Sequence, residues 1–217
     1  MHQVYELWFQ QLLHNLTVAR EAMSAGRLGR ARHLLHRVAV IERVLVEQVS
    51  VLETMTPQDF LLFREKLAPA SGFQSVQFRE LEFLSGAKDP AYLERLRGST
   101  DGERARLRRR LEEPTLWDAF VSVLAQAGLE TGDEEALRRS LLVVARDLGA
   151  YGQLWELAER LLDHDQYVAL WRARHVSMVE RQIGTKSGTG GSTGAGYLRE
   201  RLPLRYYPLL WEMRSFL

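Results

Sequence analysis

The chain alternates between long stretches of helical period and short breaks rich in glycine and proline. From the N-terminus, Tyr5, Trp8, Phe9, Leu12, Leu13 and Leu16 recur at the i, i+3, i+4, i+7, i+8 spacing that lines one face of an amphipathic helix. This predicts a first helix over Gln3 to Met23. Gly26 and Gly29 break it, and a second helix follows from Arg30 to Glu53 with Leu34, Val38, Ile41, Leu45, Val49 and Leu52 in period. Thr56-Pro-Gln-Asp sets a capping hydroxyl before a first-turn proline, so a third helix opens there and brings Phe60, Phe63, Arg64 and Leu67 close together. Pro69-Ala-Ser71-Gly72 ends it, and Phe73 begins another helix running to Gly86.

Shorter periodic segments span Pro90 to Arg97, Gly102 to Glu112, Leu116 to Ala127 and Glu134 to Gly149, the last turning Leu137, Leu141, Val144 and Leu148 inward. The last long helix, Tyr151 to Arg181, runs into a glycine loop. Tyr206 to Leu217 is aromatic and apolar enough to fold back on the bundle or to form a subunit contact. There is no internal repeat and no sustained apolar–polar alternation, so the expectation is an all-α helical bundle forming a single domain over residues 1–217.

Composition narrows the chemistry. A chain of 217 residues, 46% hydrophobic and 26% charged, is globular rather than disordered. No run approaches the apolar length of a membrane span, and Met1 leads into a helix rather than a signal peptide, which predicts a cytoplasmic protein without a membrane partner. The absence of cysteine excludes disulfides, iron–sulfur clusters, thiolate-ligated haem and cysteine zinc sites, leaving histidine as the metal ligand. A formal net charge of +1 gives no reason to expect nucleic acid. Lys66, Lys88 and Lys186 are the only lysines among 29 basic residues; the rest are arginine. Against that bias, the run Arg104-Ala-Arg-Leu-Arg-Arg-Arg reads as a solvated helix face balanced by Glu103, Glu112 and Glu113.

The candidate chemistry concentrates near the C-terminus. Trp171, His175, Met178 and Ile183 recur close to the helical period, placing an imidazole in an apolar stripe where it must find a hydrogen bond or a metal. Six glycines between Gly184 and Gly196 then let backbone approach a ligand closely. Two familiar motifs fail here. Lys186-Ser187 lacks the glycines of a phosphate-binding loop at Glu180 and Thr185. Gly190-Gly-Ser-Thr-Gly194 follows a helix where a hydrolase elbow needs a strand, and no histidine follows Ser192. His33 and His36, three apart, lack an acidic third ligand at matching spacing and read as a solvated face. His2 lies one turn before Tyr5 on the first helix's apolar face, a terminal position that by itself indicates fraying. Arg64 either snorkels or pairs with a carboxylate, for which its forked donors are suited.

The run Met178-Val-Glu-Arg, Gly184-Thr-Lys, Gly188-Thr-Gly-Gly-Ser resembles the haem-and-substrate signature of the tryptophan 2,3-dioxygenase family. His2-Gln-Val-Tyr-Glu-Leu-Trp-Phe is similar to that family's distal-histidine helix, and Phe63-Arg-Glu-Lys-Leu-Ala-Pro-Ala-Ser-Gly-Phe-Gln-Ser to its substrate-carboxylate segment. The three matches occur in the family's order and bracket nearly the whole chain; Lys88 to Asp163 carries little family-specific signal. The resemblance implies haem b with His175 as the axial iron ligand, and dioxygen and L-tryptophan as substrates. It implies Arg64 on the substrate carboxylate, Thr189 on the α-amino and carboxylate groups, and His2 beside the indole N–H. Ser71 and Gly72 would lie against haem and substrate, and Phe60 occupies an aromatic position that is tyrosine in some relatives. The implied reaction opens the indole ring to N-formyl-L-kynurenine, the first step of the kynurenine pathway, in a homotetramer. Two departures stand out. The chain begins at His2 where relatives carry an N-terminal region that helps close the pocket, which predicts a more open site, and Ser192-Thr193 replaces a pair of serines. The alternatives are a haem-dependent relative oxidising another indole and a truncated haem-binding protein with little activity.

Overall fold

The computed structural model describes residues 2–67, 74–96, 99–188 and 193–217. Eleven α-helices occur among them: α1 (His2–Ser24), α2 (Leu28–Glu53), α3 (Pro57–Leu67), α4 (Val76–Ser85), α5 (Tyr92–Arg95), α6 (Asp101–Glu112), α7 (Leu116–Gln126), α8 (Glu134–Arg146), α9 (Leu148–Ile183), α10 (Ala195–Glu200) and α11 (Pro208–Glu212). No strand is found among the described residues. The all-α expectation therefore holds. No helix of the described residues is long and apolar enough to cross a membrane.

Periodicity and burial agree closely in the first two helices. Tyr5, Phe9, Leu12, Leu13 and Leu16 of α1 are buried, as are Leu34, Val38, Ile41, Leu45 and Val49 of α2. These two faces meet Leu154, Leu157, Ala158 and Leu161 of α9, with Phe120 and Leu124 of α7 closing one side of the same apolar cluster. Each fully buried leucine contributes about 2 kcal/mol from burial, so this three-helix contact frames the fold. A smaller cluster of Val76, Phe83, Tyr92, Leu96 and Leu107 joins α4, α5 and α6.

Local capping explains the boundaries. Thr56 Oγ1 accepts from Asp59 N (3.1 Å) at the start of α3, and Thr100 and Thr115 each close a capping box on α6 and α7. Asp147 corrects the expected break at Gly149. Its side chain accepts from Ala150 N (3.0 Å), restarting the chain as α9 at Leu148 straight after α8. Leu148 is consequently 55% exposed rather than inward, and the non-helical backbone of Tyr151 (φ −119°, ψ 16°) kinks α9 where the sequence placed the start of the long helix. The segment expected over Pro90 to Arg97 is helical only as α5, and α4 begins at Val76, where the Ser75 hydroxyl accepts from Phe78 N (3.1 Å). Helix α10 was not anticipated from the sequence. Arg106 and Arg110 of α6 do more than face solvent, since both pair with the buried Glu80 of α4.

The C-terminal segment folds back on the bundle. Tyr206, Tyr207, Leu209, Leu210 and Met213 are buried. Asp165 of α9 holds them, accepting from Tyr206 N (3.0 Å), Tyr207 N (3.1 Å) and Trp211 Nε1 (2.9 Å). The residue just before Asp165, His164, places Nδ1 2.6 Å from Glu42 Oε1 and Nε2 2.8 Å from Ser85 Oγ. Burial pushes the Glu42 carboxyl above the usual carboxylate range, opposed by the His164 ring. Replacing Asp165 with alanine leaves three buried donors without an acceptor, which lowers unfolding stability by about 3 kcal/mol or more. Urea denaturation checks this; a loss under about 1 kcal/mol would show that apolar contact alone holds the segment.

Candidate functional site

A cavity of about 490 Å³ opens where α1, α2, α3, α4, α9 and α10 converge. His2, Phe60, Arg64 and His175 all border it, although they come from three helices separated by more than half the chain. Ser71, Gly72 and Thr189 lie outside the described residues. Of the glycine loop, Gly188 and Gly194 reach the cavity wall. Two glycines are required by backbone geometry here. Gly184 ends α9 at φ 60°, ψ −126° and Gly194 precedes α10 at φ 67°, ψ −128°, conformations that a side chain strongly disfavours. A Cβ on Gly194 would also collide with the Lys186 carbonyl oxygen.

His175 stacks on Trp171, with ring centroids 5.2 Å apart and planes 18° from parallel. Trp171 in turn touches Phe78 (5.2 Å) and Tyr5 (6.3 Å), so the imidazole rests on an aromatic platform contributed by α1, α4 and α9. Desolvation lowers the His175 pKa to about 4, and the neighbouring His2 opposes protonation further. The ring is therefore neutral at physiological pH. No hydrogen bond to its nitrogens is found among the described residues, which leaves a lone pair at the cavity wall. The stripe of Trp171, His175, Met178 and Ile183 is thus the wall of a cavity rather than part of the solid core.

Arg64 is half-buried, a setting that suits either a snorkelling side chain or a carboxylate partner. Its Nη2 donates to the Ser187 carbonyl, tying α3 to the segment after α9. Phe60 and Phe63 meet edge-on at 5.5 Å beside it. The opposite wall is polar. Glu82 of α4, 1% exposed, forms ion pairs with Arg79, Arg172 (3.4 Å) and Arg201 (3.5 Å). Arg172 also donates to the Leu204 carbonyl and the Tyr206 hydroxyl, each at 3.0 Å, and Tyr92 and Tyr197 share a hydrogen bond of 2.5 Å nearby. This cluster escaped the sequence reading. Its signal was present: Glu82, His164, Asp165 and Arg172 fall on inward positions of periodic helices, where an ionisable residue needs a partner.

Sequence comparison decides the family. A family model described as tryptophan 2,3-dioxygenase matches residues 1–139 and 133–217. A tryptophan 2,3-dioxygenase of a Nocardioides species is 64% identical over 219 residues, covering 99% of this chain and 82% of the relative. The chain belongs to the tryptophan 2,3-dioxygenase family. Tryptophan 2,3-dioxygenases of Herpetosiphon aurantiacus and Anaeromyxobacter dehalogenans are 42% and 44% identical, covering 99% and 100% of this chain and 85% of each relative. The match to the tryptophan 2,3-dioxygenase model extends through the middle region between α5 and α9, where no family motif was legible.

The depressed His175 pKa has a thermodynamic consequence for the ligand-free chain. The unfolded state takes up a proton near pH 6.5 and the folded state only near pH 4, so the stability contributed by this group is complete above pH 6.5 and is lost as pH falls through that window. The loss reaches at most about 3 kcal/mol, less where cavity water solvates the ring. Unfolding free energies measured between pH 7 and 4 should fall more steeply for the unmodified chain than for His175→Leu; parallel slopes would place the ring in water.

Proposed function

We propose that this chain carries out the reaction for which its family is named, the insertion of both atoms of dioxygen across the C2–C3 bond of the L-tryptophan indole ring. That bond breaks, each carbon retains one oxygen atom, and the product is N-formyl-L-kynurenine. The observation that carries this reading is the convergence of His175 and Arg64 on one cavity, the first suited to iron and the second to a carboxylate.

Haem b fits the residues present. A neutral imidazole with no hydrogen-bond partner among the described residues, on a cavity of about 490 Å³ walled largely by aromatic and aliphatic groups, would offer the nitrogen donor such a cofactor needs. His175 would hold the iron, with its ring plane fixed by Trp171. Haem b, when bound, supplies the ferrous centre at which dioxygen is activated.

The remaining work is positioning. Arg64 presents a forked cation to the substrate carboxylate, and Thr189 would contact its α-amino group. His2, at the start of α1, faces the same space and would accept the indole N–H, orienting the ring without any need to remove its proton. Ser71 and Gly72 would form the turn against which cofactor and substrate lie. Phe60 and Phe63 pack beside the substrate and displace water, and Phe60 has no hydroxyl with which to share Arg64's task. Holding both ends of the substrate converts an encounter into a fixed geometry, the main source of acceleration available to these side chains.

The reading takes residues 1–217 as one folding unit, supported by a main core to which both terminal segments contribute. It also places the protein in the cytoplasm as a homo-oligomer, a tetramer by family resemblance. Val40, Val44 and Val51 leave an exposed apolar stripe along α2 that a second copy would cover, and light scattering measures the assembly.

Reconstitution with haem, reduction, and addition of L-tryptophan and oxygen should yield a product heavier than tryptophan by two oxygen atoms. No such product from a protein showing a Soret band would leave only a haem-binding role. His175→Ala should lose the Soret band and the product together. Arg64→Ala should raise KM for L-tryptophan by about tenfold to a hundredfold with a smaller change in kcat, and should leave KM for a carboxylate-free indole unmoved; equal effects on both would remove Arg64 from the carboxylate site. Phe60→Tyr should lower KM for L-tryptophan by supplying the missing hydroxyl.

A further inference from the structure

The cavity has two chemically different ends, and His175 accounts for only one of them. Among the described residues lining it, arginines outnumber glutamates four to two: Arg64, Arg79, Arg172 and Arg201 against Glu6 and Glu82. Glu6 is engaged by Gln77, whose Nε2 donates to its carboxylate at 2.7 Å. Arg64 stands on α3 near Ser187. The other three guanidiniums all converge on Glu82.

One carboxylate shared by Arg172 and Arg201 as well as Arg79 has one negative charge against the two cations of Arg172 and Arg201 alone, which favours an anion at the wall of a partly desolvated space. The buried carboxylate of Asp165 is committed to two backbone N–H groups and the Trp211 indole. Within the cluster the roles differ. Arg172 is 5% exposed and spends its donors on Leu204, Tyr206 and Glu82. Arg79 is 4% exposed and lies against the Tyr92 ring, 4.1 Å from its centroid. Arg201, on the turn after α10, keeps 27% of its side chain exposed while bordering the cavity, and its buried Nε has no hydrogen-bond partner among the described residues. Arg172 sits one helical turn before His175, so α9 itself links the imidazole end of the cavity to the cationic end.

We propose that Arg201, braced by Glu82 and backed by Arg79 and Arg172, anchors the two propionate carboxylates of the cofactor, making this cluster the anionic-ligand end of a site whose other end is His175. The proposal rests on the haem reading above but concerns a different part of the ligand. It assigns Arg201 to cofactor retention and Glu82 to positioning: without Glu82 the three cations repel one another and lose their common orientation.

The test uses metal-free protoporphyrin IX and its dimethyl ester, which share a macrocycle and differ in the two negative charges, titrated by fluorescence into the ligand-free full chain. The unmodified chain should bind the diacid at least tenfold more tightly than the ester, and added salt should narrow the gap. Arg201→Leu should erase most of that preference by weakening the diacid alone, Arg201→Lys should keep part of it, and His175→Ala should retain it while losing the Soret signature of bound haem. Equal binding of diacid and ester by the unmodified chain, or an equal weakening of both by Arg201→Leu, would overturn the cradle. A His175-dependent Soret band without diacid preference would refute the cradle and leave the haem reading intact. Diacid preference without haem uptake would refute the haem reading and support the cationic end, and uptake of neither porphyrin nor haem would refute both.

Discussion

The orientation of α9 depends on a buried polar clamp. His164 is fixed between Glu42 of α2 and Ser85 of α4, with all three side chains almost entirely withdrawn from solvent. Such contacts add little net stability once desolvation is counted. Their effect is to penalise alternatives, because rotating α9 by even a fraction of a turn would strand an imidazole and a carboxyl in an apolar core. Eleven residues separate His164 from His175, close to three full helical turns and about 16 Å of rise. The clamp therefore fixes the direction in which His175 points, and the Trp171 platform on the same face fixes the plane of its ring.

The same helix changes character along that face. Leu154, Leu157 and Leu161 are core, His164 and Asp165 are buried polar groups with partners on other elements, and Trp171 and His175 face open space. A continuous apolar stripe would have drawn α1, α2 and α4 together along the whole length of α9 and left no cavity. The aromatic rings of Tyr5, Phe78 and Trp171 end the solid core, and beyond them the helices remain apart. Glu82 and its arginines occupy the adjoining wall, where charge repulsion and hydration also resist collapse.

Much of the frame was legible in the sequence, and the reasons for success and failure are separate. Period alone placed α1, α2, α7 and most of α8, since each is a single amphipathic face against one core. At the α8–α9 junction it found the kink at Tyr151 but missed the short turn before it, which the Asp147 side chain caps by accepting from Ala150 N. It passed over the inward ionisable positions His164 and Arg172, because their partners lie on elements distant in sequence and become neighbours only through packing. The candidate site divides similarly. His2 read as a fraying terminus and Arg64 as a snorkelling side chain until the resemblance linked them to His175, and only the fold brings the three to one cavity. The Glu82 cluster belongs to no motif, being drawn from α4, α9 and the turn after α10.

Phe60 shows how this arrangement distributes the work of binding. On the proposed reading, α3 would offer the substrate carboxylate one forked cation, Arg64, beside the apolar wall of Phe60 and Phe63. The half-buried setting of Arg64 matters more in consequence, because a partly hydrated guanidinium gives up less on binding than a fully enclosed one would have cost the fold. Its contact with the Ser187 carbonyl gives the side chain a defined resting place on the segment leading into the glycine loop. A carboxylate reaching Arg64 would compete with or share that contact, so on the proposed reading substrate binding would be coupled to the placement of the backbone after α9. On the proposed reading, the Trp171 platform fixes the ring that would hold the cofactor, while the Arg64 contact belongs to the part of the wall that would receive the substrate carboxylate.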